Sequence, residues 1–407
     1  MRGHKRRNER ARSTRATEKS GGQTLSVLIE RIVPGGAGLA HADGLTIFTG
    51  LAAPGDRLRV RINQTRGRVA FASIIEVIEP SPLRVEPPCP YFGRCGGCDF
   101  QQLNYEAQLE AKVSIIRDCL RRIARIQPPE EIPMTASPSA WHYRSRAQWQ
   151  LDPERKRLGY FERGSHQVCD VAECPVVVPE LQAALSHLRE LMQGGTLPAS
   201  SEFQAVAGDE GASLTPPVGP TFKQEVSRRA GEWRYRFKAD GFFQINHALL
   251  PALIEAAIGP ARGRRALDLY CGVGLFTLPL ARRFAEVVGV EASDAAIGYA
   301  RSNLQDAGLS NVTFACAKVS DWLKQSLPAP VDFLLLDPPR AGAEEGATDG
   351  ILALSPAHIS YVSCDPATLA RDLKHLIEGG YRLDSISAFD MFPQTHHVET
   401  IAHLRVL

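Results

Sequence analysis

The period of hydrophobic and polar positions changes three times along the chain. Between residues 24 and 80 apolar residues come in short alternating runs at 25–33, 45–49, 57–63 and 68–78, separated by Gly35-Gly36, Pro54-Gly55-Asp56 and Arg66-Gly67. Five or so short strands with turn residues between them predict a small barrel of OB type. Leu109, Val113, Ile116, Leu120 and Ile123 then recur at near-helical spacing and predict a helix over 105–125. Residues 130–240 show no dominant period. From about 241 onward, apolar segments at 265–270, 287–291, 312–315, 333–337 and 358–363 alternate with helical stretches, the last of them at 367–377. That alternation predicts a parallel sheet with crossover helices, a Rossmann-like α/β domain. The expected organisation is a basic tail (1–21), a β-barrel (22–80), a mixed α+β central domain (81–240) and a catalytic domain (241–407).

Charge sharpens the picture at the N-terminus. The formal net charge is only +2, yet Arg2, Lys5, Arg6, Arg7, Arg10, Arg12, Arg15 and Lys19 face only Glu9 and Glu18. Such a tail is expected to be disordered and drawn to polyanions. Arg57, Arg59, Arg61, Arg66 and Arg68 give the barrel a basic flank suited to a nucleic-acid backbone. No apolar run reaches the roughly 18 residues of a membrane helix, and no signal-peptide core follows the basic start. A cytoplasmic monomer that does not engage membranes is expected. Nine cysteines in a chain of this kind point to thiol chemistry or metal binding rather than a disulfide framework.

The first predicted strand of the catalytic domain ends in Asp268-Leu-Tyr-Cys-Gly-Val-Gly274. Glycines at the carboxyl end of such a strand let the backbone approach a ligand. A dinucleotide fingerprint asks for a third glycine at position 277, which is Thr277, and a carboxylate such as Asp268 disfavours a pyrophosphate. S-adenosylmethionine carries an ammonium and a sulfonium, which suit an acidic loop. Glu291, at the end of the second strand, is placed to accept hydrogen bonds from ribose hydroxyls. Asp337, in Asp337-Pro-Pro-Arg340 at the end of the fourth strand, is placed to orient the donor or the acceptor.

Ser363-Cys364-Asp365-Pro366 ends the fifth strand and opens a helix. A thiol at a helix N-terminus is expected to have a lowered pKa and to react as a thiolate. Carbon 5 of uracil is too weak a nucleophile to attack a methyl sulfonium unaided. Addition of a thiolate at carbon 6 creates an enolate that can, after which a base removes the carbon 5 proton and the thiolate leaves. Cys364 is the candidate nucleophile, and Glu399, in His396-His397-Val398-Glu399, the candidate base.

Cys89, Cys95 and Cys98 form C-x5-C-x2-C among glycines, with Cys174 further on before a proline. Four thiolates suit zinc or a [4Fe-4S] cluster. Three clustered cysteines with a distant fourth favour the cluster, and Cys169 is the rival fourth ligand.

These motifs, in this order, resemble the RNA uracil-5-methyltransferases that carry a TRAM barrel and an iron-sulfur cluster, over residues 22 to 407. Phe243-Gln-Ile-Asn246 belongs to the same pattern. The resemblance implies a class I methyltransferase fold with Cys364 as nucleophile and Glu399 as proton acceptor. It also implies a donor pocket of Gln244, Tyr270, Glu291 and Asp337, and [4Fe-4S] held by Cys89, Cys95, Cys98 and Cys174. The implied substrate is RNA, 23S ribosomal RNA ahead of the transfer RNA T-loop. Asp365 stands where many relatives have asparagine, and its charge raises the Cys364 pKa if it points at the thiol. Two rival readings are a non-covalent methyltransferase acting on another base or on a protein side chain, and an RNA-binding protein with a silent catalytic domain.

Overall fold

The computed structural model describes residues 22–198, 200–325 and 330–407. The basic tail expected at 1–21 lies outside them. The chain forms two compact units, one of residues up to Ile32 with Ala37–Leu83, the other of Val33–Gly36 with Arg84–Leu407.

In the first unit a six-stranded sheet has the order Thr24–Leu28, Arg57–Arg66, Val69–Glu79, Leu45–Thr49, Gly38–Ala42, Arg31–Ile32. Strict alternation shapes its longest strands: Leu58, Val60 and Ile62 point into a core with Val27, Ile29 and Ile47, while Arg57, Arg59 and Arg61 face solvent. The first run predicted as one strand, 25–33, is two. Between them Ile29 and Glu30 are tied elsewhere, Ile29 N donating to Asp56 O at 2.9 Å and Glu30 N to Leu39 O at 2.8 Å. Gly38–Ala42, which carries little apolar signal, was not predicted.

The second unit contains both the central and the catalytic segments. Its aperiodic part holds a five-stranded antiparallel sheet of order Val168–Asp170, Arg157–Phe161, Arg146–Asp152, Glu202–Gly208, Gly211–Thr215. The helix Pro179–Gln193 packs on it through Leu181, Leu185 and Leu188. The helix predicted over 105–125 runs from Tyr105 to Cys119, capped by Asn104 accepting from Ala107 N. It continues as one π turn, Leu120–Ala124, that ends where Arg125 turns left-handed.

The catalytic sheet comprises β1 (Gly263–Leu269), β2 (Phe284–Glu291), β3 (Val312–Cys316), β4 (Phe333–Leu336), β5 (His358–Ser363), β6 (Tyr381–Phe389) and β7 (Glu399–Val406). Their order is β3-β2-β1-β4-β5-β7-β6, with Met134–Thr135 added beside β6. The first five strands run parallel, and β7 is antiparallel to both neighbours. The parallel strands are continuous apolar runs, as strands covered on both faces must be: Leu334, Leu335 and Leu336 have no exposed surface. Strand order reverses beside β1, and there the carboxyl ends open a crevice for ligands. Among the described residues no helix is long and apolar enough to cross a membrane.

Candidate active site

The loop after β1 has the shape its glycines require. Tyr270, Gly272 and Gly274 have φ of +62°, +54° and +91°. At Gly274 an added Cβ would meet Leu278 Cδ1 at 3.1 Å, so the backbone there packs directly on the following helix. For Tyr270 the conformation costs about 1–3 kcal/mol, and its hydroxyl is held by accepting from Glu344 N at 3.2 Å. Thr277, in the place of a third glycine, is buried and donates to Asp268. Glu291 receives Gly272 N at 3.2 Å on one carboxylate oxygen and Ser293 N at 2.8 Å on the other, which fixes it at the end of β2. Asp337, after β4, accepts from Gln244 Nε2 at 3.3 Å, so two residues separated widely in sequence close one wall. Tyr270, Glu291 and Asp337 therefore stand at the carboxyl ends of adjacent strands, with Gln244 brought to Asp337 by the segment entering the domain.

Burial makes this an acidic pocket whose charges are costly. The Asp268 carboxyl is pushed up to about 7, first by burial, with Asp337 and Glu291 adding repulsion against its contact with Thr277. Its Oδ1 has no hydrogen-bond partner. Burial also raises Asp337, opposed by its bond from Gln244.

Cys364 and Glu399 are brought together by strand register. In the β5–β7 ladder Ser363 faces Thr400, so one step further places Cys364 opposite Glu399. Glu399 is not a surface carboxylate near the chain end: it is 1% exposed, and its Oε1 lacks a partner. Burial, then the nearby Asp337 charge, raises its pKa well above the ordinary range, against the pull of Arg340.

The expectation of a lowered thiol pKa is overturned. The Cys364 thiol is pushed up to about 12, first by burial and next by Glu399, with Asp337 adding and Arg340 opposing through its charge and a hydrogen bond. A single helix terminus does not outweigh desolvation among acids. Asp365 spends its carboxylate on capping the helix Pro366–Glu378, its Oδ1 accepting from Ala367 N and Thr368 N at 2.9 Å each. It is not among the groups that shift the thiol most. Arg340 was not chosen from the sequence for any role. Its place after Asp337-Pro-Pro, at the end of the strand beside Cys364, was the available signal.

Cys89, Cys95, Cys98 and Cys174 line one cavity, together with Gln101, Arg144 and Tyr160. Cys169 is not among the lining residues; it is buried in the central core and accepts from Arg94 Nε at 3.2 Å. Burial raises the thiols of Cys89, of Cys95 to about 11 and of Cys98 to about 12, and Cys174 adds repulsion in all three. Among the described residues no three His, Cys, Asp or Glu side chains form a group able to hold a metal ion.

Comparison with known proteins identifies the family. Residues 221–406 match the model of tRNA (uracil-5-)-methyltransferases and residues 18–75 that of the TRAM domain. The 23S rRNA (uracil(1939)-C(5))-methyltransferase of Alkalilimnicola ehrlichii is 35% identical, over 90% of this chain and 93% of its own. This chain belongs to the RNA uracil-C5 methyltransferase family. The counterpart in Shewanella halifaxensis is 33% identical over 95% of this chain and 96% of its own. Among solved structures, the Pyrococcus abyssi tRNA (uracil-54, C5)-methyltransferase bound to S-adenosyl-L-homocysteine superposes with a TM-score of 0.72 at 25% identity, covering 93% of this chain and 100% of that one. The fold is thus the class I methyltransferase fold with an N-terminal TRAM domain, as expected from the sequence, and the family's methyl donor is S-adenosylmethionine.

Proposed function

We propose that this enzyme methylates carbon 5 of a uracil in 23S ribosomal RNA through a covalent adduct with Cys364. The observation that carries the reading is the β5–β7 register, which sets a thiol opposite a buried carboxylate beside the donor pocket. Relatives that match 90% and 95% of the chain and are named for 23S rRNA support the target. The transfer RNA T-loop is the alternative, supported by the archaeal structure.

Cys364 is partly exposed and releases its proton to water while Arg340 holds the thiolate. The target base must first leave its stack to reach the thiol. Sγ adds to carbon 6, and the electron pair of the 5,6 double bond moves to carbon 5 and the carbonyl. Carbon 5 takes the methyl group, and the pair of the broken S–CH3 bond stays on the donor sulfur. Glu399 removes the carbon 5 proton, the C–H pair restores the double bond, and the thiolate leaves. The donor's sulfonium favours an ionised Glu399 before transfer. Its loss on transfer raises the carboxylate's proton affinity at the step in which Glu399 must accept a proton. Gln244, Tyr270, Glu291 and Asp337 hold the donor.

The same proposal assigns a [4Fe-4S] cluster to Cys89, Cys95, Cys98 and Cys174. Four cysteines around one cavity, with Cys174 adding repulsion at each of the other three, suit a positive centre. Three cysteines close in sequence with a distant fourth before a proline favour the cluster over zinc, which more often uses two close pairs. Its role is to brace the fold, since no step of the reaction moves an electron.

RNA carrying 5-fluorouridine at the target should form a methylated covalent complex that survives denaturing electrophoresis, and Cys364→Ala should abolish both the complex and turnover. Turnover by Cys364→Ala would eliminate the covalent route. Mapping 5-methyluridine in cells lacking the gene should show a loss from 23S rRNA; a loss from transfer RNA would move the target. Anaerobically purified protein should absorb in the visible through thiolate-to-iron charge transfer, and colourless zinc-loaded protein would overturn the cluster.

A further inference from the structure

Glu399 Oε1 has no hydrogen-bond partner, so the aim of this carboxylate is set by the backbone that carries it. That backbone arrives through the turn between β6 and β7, and residues from the segment 99–112 grip the turn. Asp99 N and Phe100 N both donate to Gln394 O, at 2.9 and 3.0 Å. Gln108 and Gln394 exchange a reciprocal pair: Gln108 Nε2 donates to Gln394 Oε1 at 3.0 Å and Gln394 N to Gln108 Oε1 at 2.9 Å. Lys112, wholly buried, donates to Asp390 Oδ1 at 2.5 Å and to Phe392 O at 3.0 Å. Gln394 itself is held at φ +66°, a conformation that persists only where its surroundings impose it.

The contact nearest the base is made by side chains. His396 Nδ1 lies 2.6 Å from Asp99 Oδ2, and Arg163 holds the other oxygen of Asp99 at 3.0 Å. A carboxylate only accepts, so Nδ1 donates. The His396 ring packs on His397 with centroids 4.1 Å apart, two residues before Glu399. Asp99 directly follows Cys98, one of the cavity cysteines.

We infer that Asp99, acting through His396, is a positioning residue that aims Glu399 at the carbon 5 proton and ties that aim to the cysteine loop. The inference rests on the Cys364–Glu399 reading above. It affects one step, proton removal after methyl transfer. An error of about 1 Å in placing a reacting group can cost on the order of 100-fold in rate.

The test uses full-length enzyme and ordinary uracil RNA. Asp99→Ala should accumulate the methylated covalent complex and lose about 10- to 100-fold in kcat, with the RNA KM falling in proportion so that kcat/KM is nearly unchanged. Its single-turnover methyl transfer to 5-fluorouridine RNA, which has no proton to remove, should proceed at the normal rate. Asp99→Asn keeps an acceptor for His396 Nδ1 and should recover most of the loss, whereas His396→Ala should reproduce the defect. Glu399→Gln is the benchmark for a missing base. If that variant accumulates no adduct, the assignment of Glu399 fails; if it does while Asp99→Ala and His396→Ala turn over normally, the positioning role fails. An equal loss with 5-fluorouridine RNA also overturns the inference, because a merely structural defect slows every step. Unchanged binding of S-adenosylhomocysteine establishes that each variant is folded.

Discussion

The thiol of Cys364 stands between a cation and two acids, and the acids with burial prevail: its pKa lies at about 12 although Arg340 opposes them. In RNA-free enzyme the group is therefore protonated at neutral pH and a poor target for alkylation, because the thiolate is the nucleophile. Peptide mass spectrometry after iodoacetamide treatment should show Cys364 reacting slowly near pH 7, its rate still climbing above pH 10. Half-maximal labelling near pH 8, as for an ordinary thiol, would contradict this. Cys364 and Glu399 stand out in the sequence as candidates because the proposed reaction needs one thiol and one base; their closeness and the burial of Glu399 come from the strand register, which the sequence does not display. The thiol's state was not legible either, since it depends on Asp337, Arg340 and Glu399, which lie far from it in sequence. Asp99 and His396 escaped for the same reason: their pairing joins residues 297 apart.

The sheet brings acids of different segments to one edge, Asp268 before the end of β1, Glu291 ending β2 and Asp337 after β4 on parallel strands, and Glu399 opening the antiparallel β7. The five parallel strands were legible as apolar runs. β6 and β7 were not, because β6 breaks its alternation at a bulge between Leu383 and Ser385, and β7 opens with four buried residues that include Glu399 and Thr400. The convergence of acids has a thermodynamic consequence. Asp268 in the folded chain titrates at about 7, above its unfolded value. The stability tied to its proton is therefore fully present below the unfolded pKa and lost as pH rises through about 7. A cation bound among these carboxylates relieves that loss. Thermal melting should show ligand-free enzyme weakening from about pH 4 to about 7 and levelling off above, while the gain in Tm from S-adenosylmethionine grows by a few degrees over that range. S-adenosylhomocysteine lacks the sulfonium and should show a smaller growth. Equal growth for the two ligands would mean that the sulfonium does not interact with these acids.

At the scale of the whole molecule, a TRAM barrel that forms its own compact unit accompanies a catalytic unit whose substrate is a polyanion. The barrel's arginines were legible as a basic flank, yet they are not equivalent. Arg57 is paired with Glu79 at 3.2 Å and Arg59 with Glu76 at 2.5 Å across adjoining strands, so much of their charge is already answered. Arg61 and Arg66 are exposed on the strand Arg57–Arg66 and Arg68 in the turn after it; on the adjoining strand, opposite Gln64, Phe71 is 42% exposed and has its ring 5.9 Å from that of Phe48. Cations beside an exposed aromatic ring suit a single-stranded backbone with stacked bases. Each phosphate contact made by such a cation releases about 0.7 of a counterion from single-stranded nucleic acid, and the salt dependence of binding counts them. Replacing Arg61, Arg66 and Arg68 together by alanine should flatten the slope of log K against log salt by about 2 and weaken RNA binding, with the kcat at saturating RNA retained. The double change at Arg57 and Arg59 should alter that slope much less, since it removes cations that Glu79 and Glu76 already neutralise. If the two sets change the slope equally, the ion pairs open on binding and the whole flank contacts RNA; if neither does, the barrel does not grip the RNA through its arginines.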